Sequence, residues 1–213
     1  MKTDELVAAL ARSASPANER AVSRRFAGMH LTAVLLCIAT VAVFLGPRPD
    51  WREAVAGPMF WIKLAFPASV MVGAFLLLRR LGYPGMRTGK APVAIAVPFG
   101  AVWAMALLVL AGAPSSERLH LLAGTSALRC VLVIAAVAVP ALVVTLRAMS
   151  DLAPTRPGSA GAVAGLFAGS AAAVAYAFSC VETQAPFLAV WYVLGMLVPT
   201  AAGALTGPRL LRW

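Results

Sequence analysis

The sequence predicts an all-α integral membrane protein, a bundle of six transmembrane helices with both termini in the cytoplasm. Hydrophobic residues make up 61% of the 213-residue chain and charged residues only 12%, and the mean hydropathy is +0.86. Soluble globular domains contain about 25% charged residues. A composition this apolar favours a chain that crosses a lipid bilayer over a soluble domain.

Six apolar runs are each close to the roughly 20 residues that a helix needs to cross a bilayer. Residues 1–25 precede the first run and form the predicted cytoplasmic segment, and residues 26–213 form the predicted transmembrane domain. The six runs are Phe26–Gly46, Met59–Leu78, Ala91–Ala113, Ala127–Leu146, Ala160–Val181 and Phe187–Gly207.

The distribution of Lys and Arg predicts the orientation, because cytoplasmic loops retain positive charge. With the N-terminus inside, thirteen basic residues fall on the inner side and five on the outer side. The net charge of +10 then lies in short loops beside an anionic leaflet, so we expect no direct binding of nucleic acid. The outer five are Arg48, Arg52, Lys63, Arg118 and Arg129.

The fifth run carries Gly161, Gly165 and Gly169 at four-residue spacing. Small residues at this spacing let helix backbones approach closely, so we expect this helix at the centre of the bundle. Four other runs contain an internal proline, where a helix can bend; these are Pro67, Pro98, Pro140 and Pro199.

Residues 1–25 are predicted to contain a short amphipathic helix with an acidic first turn. Asp4 and Glu5 are favourable at the positive end of the helix dipole, and Leu6, Val7 and Leu10 share one face. About ten residues are too few for a stable isolated helix in water, so the apolar face needs a surface to bind. A cytoplasmic protein partner is favoured over the headgroup layer, since a helix that binds the inner leaflet is normally basic.

Two cysteines are predicted to lie at the same outer face of the bundle. Cys130 begins the fourth run and Cys180 ends the fifth, which runs in the opposite direction. Arg129 beside Cys130 favours the thiolate, the form that binds soft metals and reacts with oxidants, and Glu182 can pair with Arg129 or supply an oxygen ligand. Three interpretations stay open: a thiol pair that senses an oxidant or transiently binds a metal, a static disulfide, and two unrelated buried cysteines.

Three other residues in the apolar runs are ionisable or reactive. Lys63 lies one turn inside the outer end of the second run, where a buried charge is costly. We interpret it as an interfacial anchor that reaches water along its own stem, and we keep it as a supporting residue of the cysteine site. Cys37 is interpreted as a packed core residue, and His30 as a snorkelling or capping histidine.

No motif for catalysis or cofactor binding is present. The chain lacks a Cys-x-x-Cys pair, a glycine-rich phosphate loop, a cluster of metal-ligating residues and a convincing nucleophile–base pair. We therefore predict no cofactor and no enzymatic activity. The alternative functions are a small metal or solute transporter, although no acidic relay crosses the predicted membrane region, and a thiol–disulfide membrane oxidoreductase.

Several stretches of the chain match one known family. They are the opening Met1-Lys2-Thr3-Asp4-Glu5-Leu6-Val7-x-x-Leu10, the pair Arg24-Arg25, Cys130, and the Cys180-x-Glu182 segment that leads to Trp191-Tyr192-x-Leu194-Gly195. Together with the six predicted helices, they resemble the NrsF-type proteins of proteobacteria. These are negative regulators of sigma F, which act as membrane-bound anti-sigma factors.

The resemblance implies a function at the bacterial inner membrane. The protein would hold an extracytoplasmic-function sigma factor there and release it under heavy-metal or oxidative stress. By position, Cys130 and Cys180 match the paired cysteines that the family needs for its response, and the N-terminal segment matches the sigma-facing part. Because that segment is short, the inner loops Arg79–Lys90 and Arg147–Ala160 are expected to help bind the sigma factor.

Overall fold

The computed structural model describes residues 3, 5, 7, 19–83, 86–152 and 154–211 of the chain. Regular secondary structure over these residues is helical throughout. The helices are α1 (Glu19–Phe44), α2 (Trp51–Ala56), α3 (Pro58–Leu81), α4 (Ala91–Gly112), α5 (Ser115–Ala123), α6 (Ala127–Ser150), α7 (Pro157–Ala177) and α8 (Ala185–Leu210). Near its start, α8 contains a π-helical turn over Leu188–Tyr192.

Six helices within the described residues, α1, α3, α4, α6, α7 and α8, are long and apolar enough to cross a membrane. This confirms the prediction of an all-helical bundle with six candidate spans. Large apolar side chains point away from the bundle, for example Phe44, Leu108 and Leu205, which are 80%, 75% and 71% exposed. Exposed apolar surface of this kind is typical of a protein that sits in lipid.

The helix at the centre of the bundle is α7. It packs against α1, α3, α6 and α8. Of its most apolar stretch, 83% is buried inside the bundle, against 11% of the corresponding stretch of α4 at the periphery. Most of its residues are Gly, Ala or Ser, whose small side chains let several neighbours approach at once. The central position expected from the glycine spacing is confirmed.

The contact between α7 and α8 depends on glycines of both helices. A Cβ atom added to Gly165 would overlap the backbone of Pro199 and Thr200, and one added to Gly161 would overlap the carbonyl group of Gly203. Gly203 likewise has no room for a side chain against Gly161. The two backbones therefore touch directly, which holds α8 and the loop before it firmly against the core.

Successive spans run in opposite directions, so the loops gather at two ends of the bundle. The cysteine end holds the loops of residues 45–57, 113–126 and 178–184, and the basic end holds the start of α1 and the turns after α3 and α6. At the basic end, Arg25 forms an ion pair of 3.0 Å with Asp151. There too, Arg80 donates a hydrogen bond of 2.7 Å to the carbonyl oxygen of Thr88.

His30 lies inside the bundle near the basic end, which shows that the snorkelling interpretation is wrong. Its side chain is 2% exposed and contacts the rings of Phe26, Phe75 and Phe167. The Nδ1 atom donates a hydrogen bond of 2.8 Å to the carbonyl oxygen of Phe26. The ring faces these aromatic side chains because α1 packs against α7 with the side that carries His30. The sequence does not show which side of α1 faces α7.

The N-terminal segment is described at Thr3, Glu5 and Val7, and all three residues are helical and exposed. Val7 exposes 59% of its surface. The helical backbone agrees with the predicted N-terminal helix. The predicted partner-binding residues Asp4, Leu6 and Leu10 lie outside the described residues.

Candidate sensing site at the cysteine end

A buried lysine organises the cysteine end. The side chain of Lys63, in the second turn of α3, is 0% exposed. Its Nζ donates hydrogen bonds to the carbonyl oxygens of Cys180 at 2.6 Å and Glu182 at 2.7 Å, and it lies 5.5 Å from the centre of the Tyr192 ring. The acceptors and the aromatic face compensate a cation that has left water. The anchor interpretation is therefore wrong, because the side chain points into the protein.

Helix geometry explains the direction of this side chain. Lys63 shares one face of α3 with Phe60, Pro67 and Val70, and all four are buried. Residues three, four and seven positions apart line one face of an α-helix. That face packs against α7, and the loop that follows α7 supplies the two carbonyl acceptors.

Arg48, in the loop after α1, also contacts the loop that follows α7. Its side chain is 7% exposed, and its guanidinium binds both oxygens of the Asp50 carboxylate at 2.7 and 2.6 Å. These hydrogen bonds raise the pKa of Arg48 and lower the pKa of Asp50. The Nη1 atom of Arg48 also lies 3.5 Å from the Cys180 carbonyl oxygen. Two cations, Arg48 and Lys63, therefore face one backbone carbonyl.

The thiols of Cys130 and Cys180 are free and lie beneath the loops of this end. Cys130 is in the first turn of α6 and is 0% exposed, and Cys180 follows the end of α7 and is 3% exposed. Both cysteines belong to the buried core of the bundle, and the backbone carbonyl of Cys180 accepts a hydrogen bond from Lys63. The structure thus buries the two predicted cysteines at the same end, whereas Cys37 packs in the core with its Sγ 3.7 Å from the carbonyl oxygen of Val137.

The loop that carries Cys180 is longer than the hydropathy pattern predicted. The fifth apolar run extends to Val181, but α7 ends at Ala177. Residues 180–184 have no helical structure, and this leaves the carbonyl groups of Cys180 and Glu182 without helical partners. Lys63 supplies the missing donors, which is why the helix can end early inside an apolar stretch.

Tyr192 completes the surroundings of the two thiols. Its side chain is 0% exposed. Its ring lies 5.5 Å from the Lys63 Nζ atom and 6.2 Å, centroid to centroid, from the ring of Tyr176. Tyr192 belongs to the π-helical turn of α8, a local structure that is often found at functional sites. A tyrosine hydroxyl beside the Cys180 side chain is able to donate a hydrogen bond to a thiolate that forms there.

The Glu182 carboxylate binds Thr125, and the predicted Glu182–Arg129 pair does not form. Its Oε1 accepts hydrogen bonds from the backbone N–H of Thr125 at 2.8 Å and from the hydroxyl of Thr125 at 2.6 Å. These bonds tie the Cys180 loop to the loop that leads into α6. Arg129 is exposed, whereas Lys63 and Arg48 are buried and both face the Cys180 carbonyl oxygen. The predicted effect of Arg129 on the Cys130 thiol stays a prediction.

Two residues of the site, Arg48 and Thr125, were not predicted from the sequence. The position of Asp50 two residues after Arg48 is the one local signal for the first of them. Tyr192, in contrast, belongs to the segment after Cys180 that carries the family resemblance. No local signal links Thr125 to Glu182, because the two are separated by 57 residues.

A ready-made metal centre is absent from the part of the chain that the structure describes. No group of three or more His, Cys, Asp and Glu side chains there is arranged to hold a metal ion. Cys130 and Cys180 offer two sulfur ligands, which suit soft metals. Transient metal binding by this pair stays a prediction.

Comparisons of the sequence with known proteins find relatives along the whole chain. A family model described as NrsF, negative regulator of sigma F, matches residues 10–213. The "Probable anti-sigma-F factor NrsF" of Azospira oryzae is 41% identical over 217 residues, and the "Anti-sigma-F factor NrsF" of Caulobacter vibrioides is 37% identical over 217 residues. Both alignments cover 100% of this chain and 100% of the relative. No solved structure matches the chain.

Proposed function

Since the chain belongs to the NrsF family of negative regulators of sigma F, we propose that it is a membrane-bound anti-sigma factor that sequesters an extracytoplasmic-function sigma factor. Its full-length similarity to two anti-sigma-F factors is the observation that carries the proposal. An anti-sigma factor acts by binding and not by turnover. Membership of this regulatory family confirms the prediction that the chain is not an enzyme.

The proposal places the basic end in the cytoplasm and the cysteine end on the outer side of a bacterial inner membrane. The excess of Lys and Arg in the predicted inner segments supports this orientation. The sigma factor then meets the N-terminal helix and the loops Arg79–Lys90 and Arg147–Ala160. The partners are the bilayer and the sigma factor. The chain itself does not bind nucleic acid, and its effect on transcription passes through the sigma factor.

In the proposed mechanism, chemistry at Cys130 and Cys180 starts the release of the sigma factor. In one form, the two thiols become a disulfide, and two protons and two electrons pass to the oxidant. In the other, a soft metal ion binds both sulfurs as thiolates, and two protons leave. Either product holds the two sulfur atoms together and so pulls Cys180 toward the start of α6.

Lys63 supports the transmission of this change. The carbonyl oxygen of Cys180 accepts the Lys63 hydrogen bond, so a displacement of Cys180 strains or breaks a contact to α3. The helices α3 and α6 both continue to the basic end and both pack against α7. A change in their relative position at the cysteine end therefore reaches the surface proposed to bind the sigma factor.

The hydrogen bonds of Lys63 are strong enough to shift the protein between two states. Shifting a two-state equilibrium from 1:99 to 99:1 requires about 5.5 kcal/mol of differential stabilisation. A hydrogen bond to a charged group contributes about 1.5–3 kcal/mol, and Lys63 makes two of them. Loss of both bonds is of the required order, so reaction of the cysteine pair can change the dominant state.

Co-purification tests the anti-sigma function. The full-length protein, extracted in mild detergent, should retain its sigma factor, and a variant that lacks residues 1–10 should retain less. Absence of the sigma factor from the intact protein would contradict the anti-sigma proposal.

Cysteine variants test the sensing step separately. The double variant Cys130→Ser, Cys180→Ser should retain the sigma factor but should not release it when a soft metal or an oxidant is added. Cys37→Ser is the matched control and should release it as the wild type does. Release from the double variant would contradict the thiol sensor while leaving the anti-sigma function intact.

A further inference from the structure

A groove at the basic end carries three arginines that face a common space. It lies between the start of α1 and the end of α3 and has a volume of about 640 Å³. Among the residues that the structure describes, no carboxylate lines this groove. Its lining residues are Arg20, Ser23, Arg24, Arg79, Tyr83 and Met86. Three of them, Arg20, Arg24 and Arg79, are the groove arginines.

The groove arginines differ from two other arginines of the same end. Arg25 is paired with Asp151 at 3.0 Å, and Arg80 donates to the carbonyl oxygen of Thr88 at 2.7 Å. The groove arginines form no ion pair or side-chain hydrogen bond with any other residue that the structure describes. Three like charges around one space repel each other, so the groove favours an anion.

The groove lies at the depth of lipid headgroups. The apolar run of α1 begins at Phe26, so Arg24 and Arg20 lie about 3 and 9 Å beyond it at 1.5 Å per residue. Arg79 directly follows Leu78, the last residue of the second apolar run. The headgroup layer on each side of the hydrocarbon core is roughly 5–8 Å thick. Arg24 and Arg79 therefore lie within the headgroup layer and Arg20 just beyond it, so a lipid phosphate reaches the groove from the membrane plane.

We propose that this groove binds the headgroup phosphate of an anionic phospholipid. The planar guanidinium groups present paired N–H donors that match phosphate oxygens. The hydroxyl groups of Ser23 and Tyr83 add donors, and Met86 adds an apolar wall beside the lipid glycerol and upper chain. Basic pockets between transmembrane helices are known to bind anionic lipid headgroups. An acidic protein helix is the less suitable occupant, because the groove lies level with the lipids.

A bound phosphate would connect two parts of the protein that matter for regulation. It would bridge the start of α1, which continues from the N-terminal segment, and the end of α3, which carries Lys63 near its opposite end. The lipid would then hold the basic end in one arrangement. The site itself does not depend on the anti-sigma function.

Native mass spectrometry of the full-length protein tests the proposal with phosphatidylglycerol as the probe and phosphatidylcholine as the zwitterionic control. The wild type should retain phosphatidylglycerol in preference to phosphatidylcholine. The double variant Arg24→Gln, Arg79→Gln should weaken phosphatidylglycerol binding by about 30-fold, or roughly 5-fold for each arginine. Arg147→Gln, Arg156→Gln is the matched control, since it removes two exposed arginines of the same end that do not line the groove, and it should bind as the wild type does.

Three outcomes would overturn the lipid site. They are equal retention of the two lipids by the wild type, equal losses in the two double variants, and displacement of the lipid by millimolar inorganic phosphate or a Glu-rich helical peptide. Circular dichroism and gel filtration establish that each variant is folded. If Arg24→Gln, Arg79→Gln does not fold, Arg24→Lys, Arg79→Lys replaces it, and unchanged phosphatidylglycerol binding by that variant would contradict the paired guanidinium contacts.

Discussion

The Nζ atom of Lys63 and the carbonyl oxygen of Cys180 are 2.6 Å apart, and this hydrogen bond joins α3, a helix long and apolar enough to cross a membrane, to the backbone of a candidate sensing cysteine. The Cys180 thiol and the carbonyl acceptor belong to the same residue, so neither moves without affecting the other. A second bond from Lys63 reaches the carbonyl oxygen of Glu182 at 2.7 Å. The position of α3 and the conformation of the Cys180 loop are therefore linked.

Lys63→Met should reduce the free energy of unfolding by roughly 2–5 kcal/mol, because two buried carbonyl oxygens lose their donor. The Cys180 loop should also loosen, so N-ethylmaleimide should modify Cys180 faster than in the wild type. Thermal unfolding in detergent and peptide mass mapping measure the two effects. Lys90→Met, which alters an exposed lysine, should change neither, and an unchanged Lys63→Met protein would refute the role of the lysine.

Gly165→Ala should destabilise the bundle by about 1–3 kcal/mol, the usual cost of overpacking a tight contact. The added Cβ would meet the backbone of Pro199 and Thr200, which cannot shift without moving α8. Gly100→Ala is the matched control, since a Cβ there meets nothing within 4 Å. Thermal unfolding of both variants measures the difference, and equal stabilities would show that the two helices are not in close backbone contact.

Glu182 and Thr125 should be energetically coupled by about 1–2 kcal/mol, because a hydrogen bond to a charged acceptor stabilises by up to about 3 kcal/mol and Thr125 is partly screened by solvent. A double-mutant cycle with Glu182→Ala and Thr125→Val measures this coupling through the free energy of unfolding. The same cycle with Glu117→Ala in place of Glu182→Ala should give a coupling near zero. Additive effects of Glu182→Ala and Thr125→Val would exclude the bond from the Thr125 hydroxyl to Glu182, since the valine variant keeps the backbone N–H that also donates to this carboxylate.

The Arg48–Asp50 pair should stabilise the protein in a pH-dependent way. Hydrogen bonds from Arg48 hold the pKa of Asp50 below its ordinary value of 3.8. A carboxyl group whose pKa is lowered by folding stabilises the folded state above its unfolded pKa, and this effect is lost as pH falls through the folded pKa. Melting temperatures of the wild type and Asp50→Asn should therefore differ at neutral pH and converge in acid, as the pH falls from the ordinary pKa of 3.8 through the lowered pKa of the folded state. Arg48→Gln should show the same convergence, and a difference that persists in acid would contradict the pairing.

Local sequence features predicted the number of candidate spans, the central position of α7 and the shared end of the two cysteines. Each of these follows from local composition. Apolar runs of about 20 residues specify membrane helices, small residues at four-residue spacing specify a close contact, and antiparallel succession places Cys130 and Cys180 at one end. Such features do not require knowledge of which side chains meet.

Which charged groups surround the two thiols depends on contacts between residues that are far apart in the sequence. Lys63 and Cys180 are 117 residues apart, and their contact depends on the rotation of α3, the early end of α7 and the close packing of α7 against α8. Arg129 is adjacent to Cys130 in sequence, yet it is exposed. Neighbouring residues on a helix point in directions about 100° apart, so the buried cation comes from another helix, and Lys63 is the residue whose face of α3 turns toward the site.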